Sequence, residues 1–537
     1  MKKALVVLIV FLVTLGSAAI ACTILGVGKD AMVNGSTIIT HNDDSTSADF
    51  RLWIIPAMDW PEGSLRDIVL DSHNYIDYGN YPDVNIGSTG TLIAQIPQVP
   101  HTYQYFHSRY SFMNEKGVAI SESTFSIDTS TDYGKEVRKV LWTDSMGIID
   151  CWTAQDIALE RAATAREAVR VMGDLVEQYG WSTVGGGGET MTVADGEECW
   201  IAEFYGRDVW VAVRIPTDHF TVAANRARIM EVDLNDTENV MASPNIVSFA
   251  VEQGWYDPAS GKPFNIAEIY APNDNLYATR REWRAFDIVA PSLGLSPHDV
   301  RFPLSVKPER LLTVHDIFVI KGDYYQGTEY DLTVGPAAGP WGDPIRYANT
   351  SRTGTWERSI NMHRTCYVHI GETNSAYADP FKGVAWYGYG APDTAYIVPL
   401  WPIMRDLPKF YETGSRYEEF RRDSGWWVSS YVQQMAELHY NLAIQDIRNY
   451  RDPKLEVLYK LTPQVQAIAT EMYKTDPEAA IDFVSNYAFM NAVAWFEEWK
   501  LLGDRLLGNY ALGYVNFRTA AYPDWWNELI GYGFPER

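Results

Sequence analysis

The chain has 537 residues, of which 46% are hydrophobic and 21% charged, with 39 Gly and 27 Pro. These values are ordinary for folded domains and exclude a collagen, a disordered tail and a coiled coil. Lys and Arg number 44 against 69 Asp and Glu, which gives a net charge of −25. A field of this sign repels phosphate backbones and anionic lipid, so a nucleic acid partner is not expected.

The chain begins with the pattern of a secretory signal peptide. Two lysines precede an apolar run over residues 4–15, and an Ala-Ile-Ala sequence comes directly before Cys22. This is the positive segment, short apolar segment and A-x-A cleavage site of exported proteins. The run is too short for a comfortable membrane span. We therefore predict a signal peptide at residues 1–21 and a secreted or periplasmic protein without stable membrane insertion.

Cleavage after Ala21 would make Cys22 the first residue of the mature chain, where a cysteine has two known chemical fates. In catalysis the thiol attacks an amide carbonyl, and its own α-amine, with an unperturbed pKa of about 7.7–8.0, acts as the base. In a lipoprotein the thiol is acylated, but that signal usually has Leu where this chain has Ala19. A coincidental cysteine near the cleavage site is the third interpretation.

A β-hairpin is predicted directly after Cys22. Residues 22–28 form a β-branched and apolar run, residues 34–36 are the turn sequence Asn-Gly-Ser, and residues 37–40 form a second strand. The polar sequence His-Asn-Asp-Asp follows at residues 41–44. The hairpin either returns this sequence to the neighbourhood of Cys22, or the sequence is a solvated loop.

These residues resemble the cysteine dipeptidases of the N-terminal-nucleophile hydrolase superfamily, the dipeptidase A or PepD type. Secernins are related to them, and choloylglycine hydrolases and penicillin V acylases more distantly. The family's C-T-x-I-x-V-G-K, D/N-G-S and R-N-x-D sequences are matched by residues 22–29, 34–36 and 41–44. One departure is His41, where the wider family usually has Arg, so that an always-charged group becomes a titratable ring.

The resemblance also covers later segments. They are M-N-E-K-G-V-A at residues 113–119, A-A-N-R at 223–226, T-R-R-E-W-R at 279–284, and residues 386–390 and 396–400. It implies that Asn114 and Asn225 donate hydrogen bonds to the developing oxyanion, with Asx-turn roles as the alternative. It also implies an Arg behind the nucleophile, with which we align Arg281, although Arg280 is adjacent.

The resemblance implies a mechanism without a cofactor, in which Cys22 forms an acyl-enzyme that water releases. Asp44 is expected to hydrogen-bond the Cys22 amine or the adjacent backbone, or to cap a turn. Arg281 is expected to lower the thiol pKa or hold a substrate carboxylate, or to form an ion pair on its helix. His41 and Asn42 are expected to contact substrate.

Other chemistries have no sequence support. The chain contains no H-E-x-x-H, C-x-x-C, G-x-S-x-G or calcium-loop pattern, so no metal site and no serine mechanism are predicted. The four glycines at residues 185–188 lack a following G-K-[ST] and predict a flexible loop. Four cysteines do not make a disulfide scaffold, and Cys151 and Cys199 either pair after export or stay as buried thiols.

The remaining pattern predicts an α+β protein. Apolar residues at helical spacing over residues 153–179 predict one or two helices that end at Gly180. Short β-rich runs lie before and after them. This order suits a four-layer αββα sandwich, with two antiparallel sheets face to face and helices outside. That is also the N-terminal-nucleophile fold that the resemblance implies.

An appended C-terminal helical region is predicted beyond the catalytic domain, which we place at residues 22–410. In residues 411–537, helical spacing occurs over 426–447, 455–473 and 478–507, with breaks at Asp452-Pro453 and Asp476-Pro477. The aromatic side chains of these helices, at Trp426, Trp427, Tyr431, Trp495 and Trp499, are expected to pack on the core.

The leading hypothesis is an exported cysteine dipeptidase that acts on short peptides with a free N-terminus. One alternative is a bile-salt or penicillin-type acyl amide hydrolase of the same superfamily. The other is a lipid-anchored surface protein that binds peptides or glycans without catalysis. The sequence leaves the oligomeric state open, a homo-oligomer included.

Overall fold

The computed structural model describes residues 22–45, 48–70, 91–144, 147–183, 187–347, 356–416 and 419–531. The predicted signal peptide at residues 1–21 lies outside these residues, as do Gly185 and Gly186 of the predicted glycine loop. In the part of the chain that is described, no helix is both long and apolar enough to cross a membrane.

The predicted hairpin after Cys22 is present. Strand β1 (Thr23–Val27) pairs antiparallel with β2 (Thr37–Asn42), and Gly35 in the turn has a φ of +70°, which favours glycine. The register places Ile24 opposite His41. Residues 41–44 are buried. They therefore lie beside Cys22 and do not form a solvated loop.

The hairpin lies at the centre of a seven-stranded antiparallel sheet. Its strands, in spatial order, are β16 (Ser305–Val306), β14 (Phe220–Ala223), β1, β2, β17 (Tyr367–Thr373), β18 (Gly383–Tyr389) and β19 (Val398–Leu400). Strand β1 pairs with β14 and β2, and strand β2 pairs with β1 and β17, so neither is an edge strand. The backbone around Cys22 is thus held by a continuous hydrogen-bonded ladder.

A second antiparallel sheet has eight strands. They are, in spatial order, β15 (Val240–Ala242), β13 (Val209–Ile215), β12 (Cys199–Gly206), β11 (Gly188–Ala194), β10 (Ala119–Phe125), β9 (Met113–Asn114), β8 (Tyr105–His107) and β3 (Trp53–Ile55). The two sheets contact each other through β1 and β2 on one side and β10 to β12 on the other. The packing is close, since a Cβ added at Gly26 would lie 2.9 Å from the Cys199 Sγ.

Three two-stranded ribbons accompany the sheets. They are β4 (Met58–Asp59) with β7 (His101–Thr102), β5 (Leu65–Leu70) with β6 (Thr91–Pro97), and β20 (Tyr514–Val515) with β21 (Arg518–Thr519).

The helices contact the outer parts of the two sheets. They are α1 (Asp132–Arg138), α2 (Cys151–Arg161), α3 (Ala165–Tyr179), α4 (Ile246–Glu252), α5 (Ile266–Tyr270), α6 (Leu276–Val289), α7 (Val314–Lys321), α8 (Asp379–Lys382), α9 (Gly425–Glu437), α10 (Tyr440–Tyr473), α11 (Pro477–Tyr510) and α12 (Asp524–Ile530). The predicted pair of helices is α2 and α3, and α3 ends at Gly180 with a φ of +74°. Helix α3 contacts the eight-stranded sheet, whereas α6, α7 and α9 contact the seven-stranded sheet.

These observations confirm an α+β protein with antiparallel sheets and a C-terminal helical region. The four-layer N-terminal-nucleophile arrangement and the domain boundaries stay predictions. All four cysteines are buried and free, so Cys151 and Cys199 are thiols and not a disulfide.

The predicted helix break at Pro453 is wrong. Helix α10 continues through Pro453 and Pro463, although an internal proline removes a backbone hydrogen bond. The nearby Arg451 donates from its Nη1 to the carbonyls of Pro392, Asp393 and Ala395, at 3.3, 2.8 and 2.7 Å. These tertiary contacts fasten the helix to the core and offset the local cost. The break before Pro477 is confirmed, because Asp476 caps α11 there.

Trp426, Trp495 and Trp499 pack on the core as predicted, whereas Trp427 and Tyr431 contact the exposed Phe420 instead. Trp426 stacks on Phe50 with ring centroids 4.9 Å apart, and Trp495 stacks on Tyr396 at 5.1 Å. Trp499 meets the same tyrosine edge-on at 4.9 Å. Offset and edge contacts of this kind add to the free energy of apolar burial.

We expect Arg451→Met to lower the free energy of unfolding by about 2–3 kcal/mol, because three buried carbonyls lose a charged donor. Urea unfolding measures the change. The exposed Lys460→Met on the same helix is the control and should stay within about 0.5 kcal/mol of the wild type. Equal effects of the two substitutions would contradict this role of Arg451.

Candidate active site

The Cys22 thiol is buried at the point where the two sheets meet. It donates a hydrogen bond of 3.1 Å to Oε1 of Glu122, in the middle of β10. The same oxygen lies 3.1 Å from Nε2 of His41, at the end of β2. The Cys22 thiol and the His41 imidazole therefore both contact one carboxylate oxygen of Glu122.

The surroundings of Cys22 keep its thiol protonated. Burial raises the pKa of Cys22 well above its ordinary value, and the charges of Glu122, Asp43 and Asp44 raise it further. A backbone hydrogen bond from Asp44 to the thiol opposes this rise in the pKa. Because the thiolate is the nucleophilic form, the reaction needs a base at this position.

Glu122 and Glu189 are two buried carboxyl groups whose pKa values are shifted in opposite directions. Burial and the charge of Glu122 raise the pKa of Glu189 well above its ordinary value. Burial also acts to raise the pKa of Glu122, but the contacts with His41 and Cys22 outweigh it and lower that pKa. Two neighbouring carboxyl groups without water do not both ionise. Glu189 therefore holds a proton while Glu122 carries the negative charge.

Arg281 on α6 faces the nucleophile, whereas Arg280 does not. The Arg281 guanidinium donates to the Cys22 carbonyl at 2.9 Å, the Thr23 hydroxyl at 2.9 Å, the Ala224 carbonyl at 3.1 Å and the Asn225 side-chain oxygen at 2.7 Å. Arg280 pairs instead with Glu357. Burial lowers the pKa of Arg281 to about 10, so the group is still charged at neutral pH.

Asp44 reaches Cys22 through its backbone. Its carboxylate is bound by the Arg358 guanidinium and by the Thr365 hydroxyl, the latter at 2.5 Å. The buried Asp44–Arg358 pair fixes the chain directly after β2. The expected contact between this carboxylate and the Cys22 amine stays a prediction.

The side-chain hydrogen bonds of Asn114 differ from those expected of a residue that binds an oxyanion. Its amide nitrogen donates to the carbonyls of Leu159 and Ala162 at the end of α2, both at 2.8 Å. Its side-chain oxygen accepts from the backbone of Lys116 and Val118. Both ends of the amide are used locally. This corrects the expected oxyanion role, because Asn114 holds a turn and a helix end.

Asn225, by contrast, belongs to the group around Cys22. It lies directly after β14 with a φ of +62°, a conformation that asparagine tolerates better than most residues. Its amide nitrogen donates to the Thr124 carbonyl at 2.7 Å. Its backbone donates to the Ser123 hydroxyl, which in turn donates to the Cys22 carbonyl at 3.2 Å.

Several buried polar groups next to Cys22 make no hydrogen bond among the described residues. They are Nδ1 of His41, both ring nitrogens of His369, the side-chain amide of Asn42 and both carboxylate oxygens of Asp43. Burial raises the pKa of Asp43 to about 6, against the opposing charges of His41, Arg109 and Arg416. Unpaired buried polar groups are costly. Their concentration marks the place where a polar ligand would bind.

Sequence reasoning missed three charged residues of this site. Glu122 lies inside a run of small and β-branched residues, and an acid in such a run is a usable signal. Lys321 and Arg358 belong to no motif. The ammonium of Lys321 contacts the Thr23 carbonyl, and burial lowers its pKa to about 7.

Comparison with known proteins identifies the family. A family model described as peptidase family C69 matches residues 21–453, which include Cys22 and the residues that converge on it. The chain belongs to peptidase family C69. This membership confirms the resemblance to the cysteine dipeptidases and supports a peptide hydrolase.

Curated relatives of this C69 chain carry consistent names. A probable dipeptidase of Latilactobacillus sakei is 28% identical over 435 residues, which cover 78% of this chain and 82% of the relative. A probable dipeptidase of Salmonella dublin is 28% identical over 395 residues, covering 72% and 82%. A dipeptidase of Bifidobacterium longum is 25% identical over 465 residues, covering 80% of each.

Glu189→Gln should make the C69 chain more stable than the wild type as the pH rises. Native Glu189 keeps a proton that the unfolded chain loses above the ordinary glutamate pKa of 4.5. The wild-type free energy of unfolding therefore falls with rising pH, by up to about 1.4 kcal/mol per pH unit from this group. Glutamine keeps the oxygen that accepts from Thr124 and removes this pH dependence.

Urea unfolding across the acidic and neutral range measures the difference between the variant and the wild type. The exposed Glu497→Gln is the matched control and should show no such growth with pH. A difference that stays constant for Glu189→Gln would mean that this carboxyl group is ionised in the native state.

Proposed function

We propose that this C69 peptidase is an exported dipeptidase that cleaves short peptides with Cys22 as an N-terminal nucleophile. One observation carries the proposal. The residue that the predicted signal cleavage would expose is also the residue whose thiol donates to Glu122, which His41 contacts as well, and whose carbonyl accepts from Arg281. A coincidental cysteine has no reason to lie at such a point.

The reaction follows from the protonation of the thiol. The α-amine of a terminal Cys22 takes the thiol proton, and the sulfur adds to the scissile carbonyl, whose oxygen becomes negative. The C–N bond then breaks, and the leaving amine takes the proton. Water attacks the thioester and releases the acid product together with the thiol. Glu122, as the acceptor of the S–H bond, directs the sulfur before the attack.

Arg281 and Asn225 are the positioning residues of this proposal. Arg281 binds the Cys22 carbonyl, the Thr23 hydroxyl and the Asn225 amide oxygen at the same time. It thereby fixes the backbone on which the nucleophile sits. Arg281 and the Thr124 carbonyl bind the two ends of the Asn225 amide, so Asn225 in turn holds Arg281 and β10 together.

The charges of the site favour a substrate with a free ammonium group. Within the described part of the chain nothing donates a hydrogen bond to the Asp43 carboxylate, and Glu122 is ionised beside the thiol. A substrate ammonium placed here gains charge-assisted hydrogen bonds, and an acetylated amine does not. Arg109 and Arg416 act on Asp43 from the same region and would suit the carboxylate of a short peptide. The dipeptidase names of the relatives agree with this choice.

We expect unblocked dipeptides to be hydrolysed and their N-acetylated forms, penicillin V and conjugated bile acids to be poor substrates. Cys22→Ser should lower kcat at least about 1,000-fold, as expected for loss of a nucleophile. Release of free amino acids measures the rate. Absence of dipeptide turnover in the wild type would refute the assigned substrate class.

Cys199→Ser is the matched control, because Cys199 is also a buried free thiol but lies on β12 away from the convergence on Glu122. It should keep most of the activity. Circular dichroism checks that each variant is folded. Retained turnover in a folded, correctly processed Cys22→Ser protein would disprove the nucleophile.

Intact mass and N-terminal sequencing of the exported protein should show a chain that starts at an unmodified Cys22. The mechanism requires this result, because the amine and the thiol have to belong to the same free residue. A diacylated Cys22 would support the lipid-anchored binding protein instead. Cleavage at another position would leave the thiol without its proposed base.

A further inference from the structure

We propose that Cys22, His41 and Glu122 bind one soft divalent cation of the Zn²⁺ class, which would reversibly block the nucleophile. The inhibitory effect rests on the proposed function of Cys22, whereas metal binding is not a step of the proposed hydrolysis. The site rests on the convergence of three different ligand types from β1, β2 and β10. Sequence motifs do not show it, because the three residues are far apart in the chain.

The spacing of the donor atoms suits a single ion. The Cys22 Sγ and the His41 Nε2 each lie 3.1 Å from the Glu122 Oε1, and all three atoms lie within 4.8 Å of one another. Zinc bonds of about 2.0–2.3 Å in a tetrahedral site place ligand atoms roughly 3.3–3.7 Å apart. The two distances to Glu122 would have to lengthen by a few tenths of an ångström, and the Cys22 Sγ and His41 Nε2 would have to come within the same spacing of each other by side-chain rotation.

The imidazole is already oriented towards the other two ligands. His41 is fully buried, and its Nε2 lies 3.1 Å from the Glu122 Oε1. An ion between these two atoms would replace this contact with two metal–ligand bonds, and neutral imidazole is a common ligand of such ions. Its position at the end of a paired strand holds the ring in place for a ligand.

The charges also balance at this position. One thiolate and one carboxylate with a neutral imidazole carry two negative charges, which a divalent cation neutralises. The thiol proton passes to solvent as the metal–sulfur bond forms. Three protein ligands leave a fourth position for water. The sulfur lone pair used in this bond is the one that would attack a peptide, so an occupied site is inhibited.

Cd²⁺ is the probe, added to enzyme that was first treated with EDTA. We expect one equivalent to saturate the ultraviolet charge-transfer absorption of a cadmium–thiolate bond. Cys22→Ser should abolish this absorption, and Glu122→Gln should raise the Kd for Cd²⁺ at least tenfold. Cys199→Ser and the exposed Glu197→Gln, as matched controls, should leave both unchanged. An absorption that survives Cys22→Ser, or an unchanged Kd in Glu122→Gln, would overturn the proposal.

A measurement on the wild type covers the case in which a variant fails to fold. Zn²⁺ should protect Cys22 from alkylation by iodoacetamide, as peptide mass spectrometry after digestion would show. Alkylation at an unchanged rate would overturn the site. Because neither readout uses turnover, the two proposals fail separately. Cadmium binding without dipeptide hydrolysis would leave the metal site standing and refute the proposed activity.

Discussion

The site depends on the ionised carboxylate of Glu122, which is buried between the two sheets. A buried charge without partners would cost several kcal/mol, so the fold has to supply them. Its partners, Cys22 and His41, both belong to the first hairpin. The pairing of β1 with β2 brings these two residues together, and the packing of the sheets brings them to Glu122. The position of Cys22 therefore depends on stabilisation of the Glu122 charge as well as on the packing of the two sheets.

The cationic side chains of the site bind main-chain carbonyls or the Asp44 carboxylate, whereas acidic side chains lie around the thiol. Arg281 binds the Cys22 carbonyl, and Lys321 binds the Thr23 carbonyl. Arg358 neutralises Asp44. Glu122 and Asp43 are left as the negative groups that act on the sulfur, and both raise its pKa. This division fixes the main chain rigidly and leaves a negative region that suits an ammonium group or a metal ion better than an anion.

Sequence patterns correctly predicted the features that depend on residues close together in the chain. The hairpin, α2 and α3, and the positions of Cys22 and Arg281 follow from turn residues, periodicity and short motifs. Glu122 was missed because its importance comes from a neighbour 100 residues away. Asn114 was assigned to the oxyanion through the family resemblance, but its amide nitrogen donates to the end of α2 and its oxygen accepts from the following turn, as in the Asx-turn alternative. Pro453 was predicted to break the helix, because the sequence does not reveal the long-range contacts of Arg451 that hold α10 on the core. Long-range contacts decide each of these cases.

The state of the thiol links the proposed export to the proposed catalysis. Three acids and burial hold Cys22 in its protonated form. Glu122 accepts the S–H bond, but its lowered pKa makes it a weak base. In a chain that still carries residues before Cys22, the nitrogen of Cys22 is an amide without a basic lone pair. The thiol would then have no effective base. Removal of the preceding residues would create the amine, so activity would begin only after cleavage, outside the compartment where the chain is made.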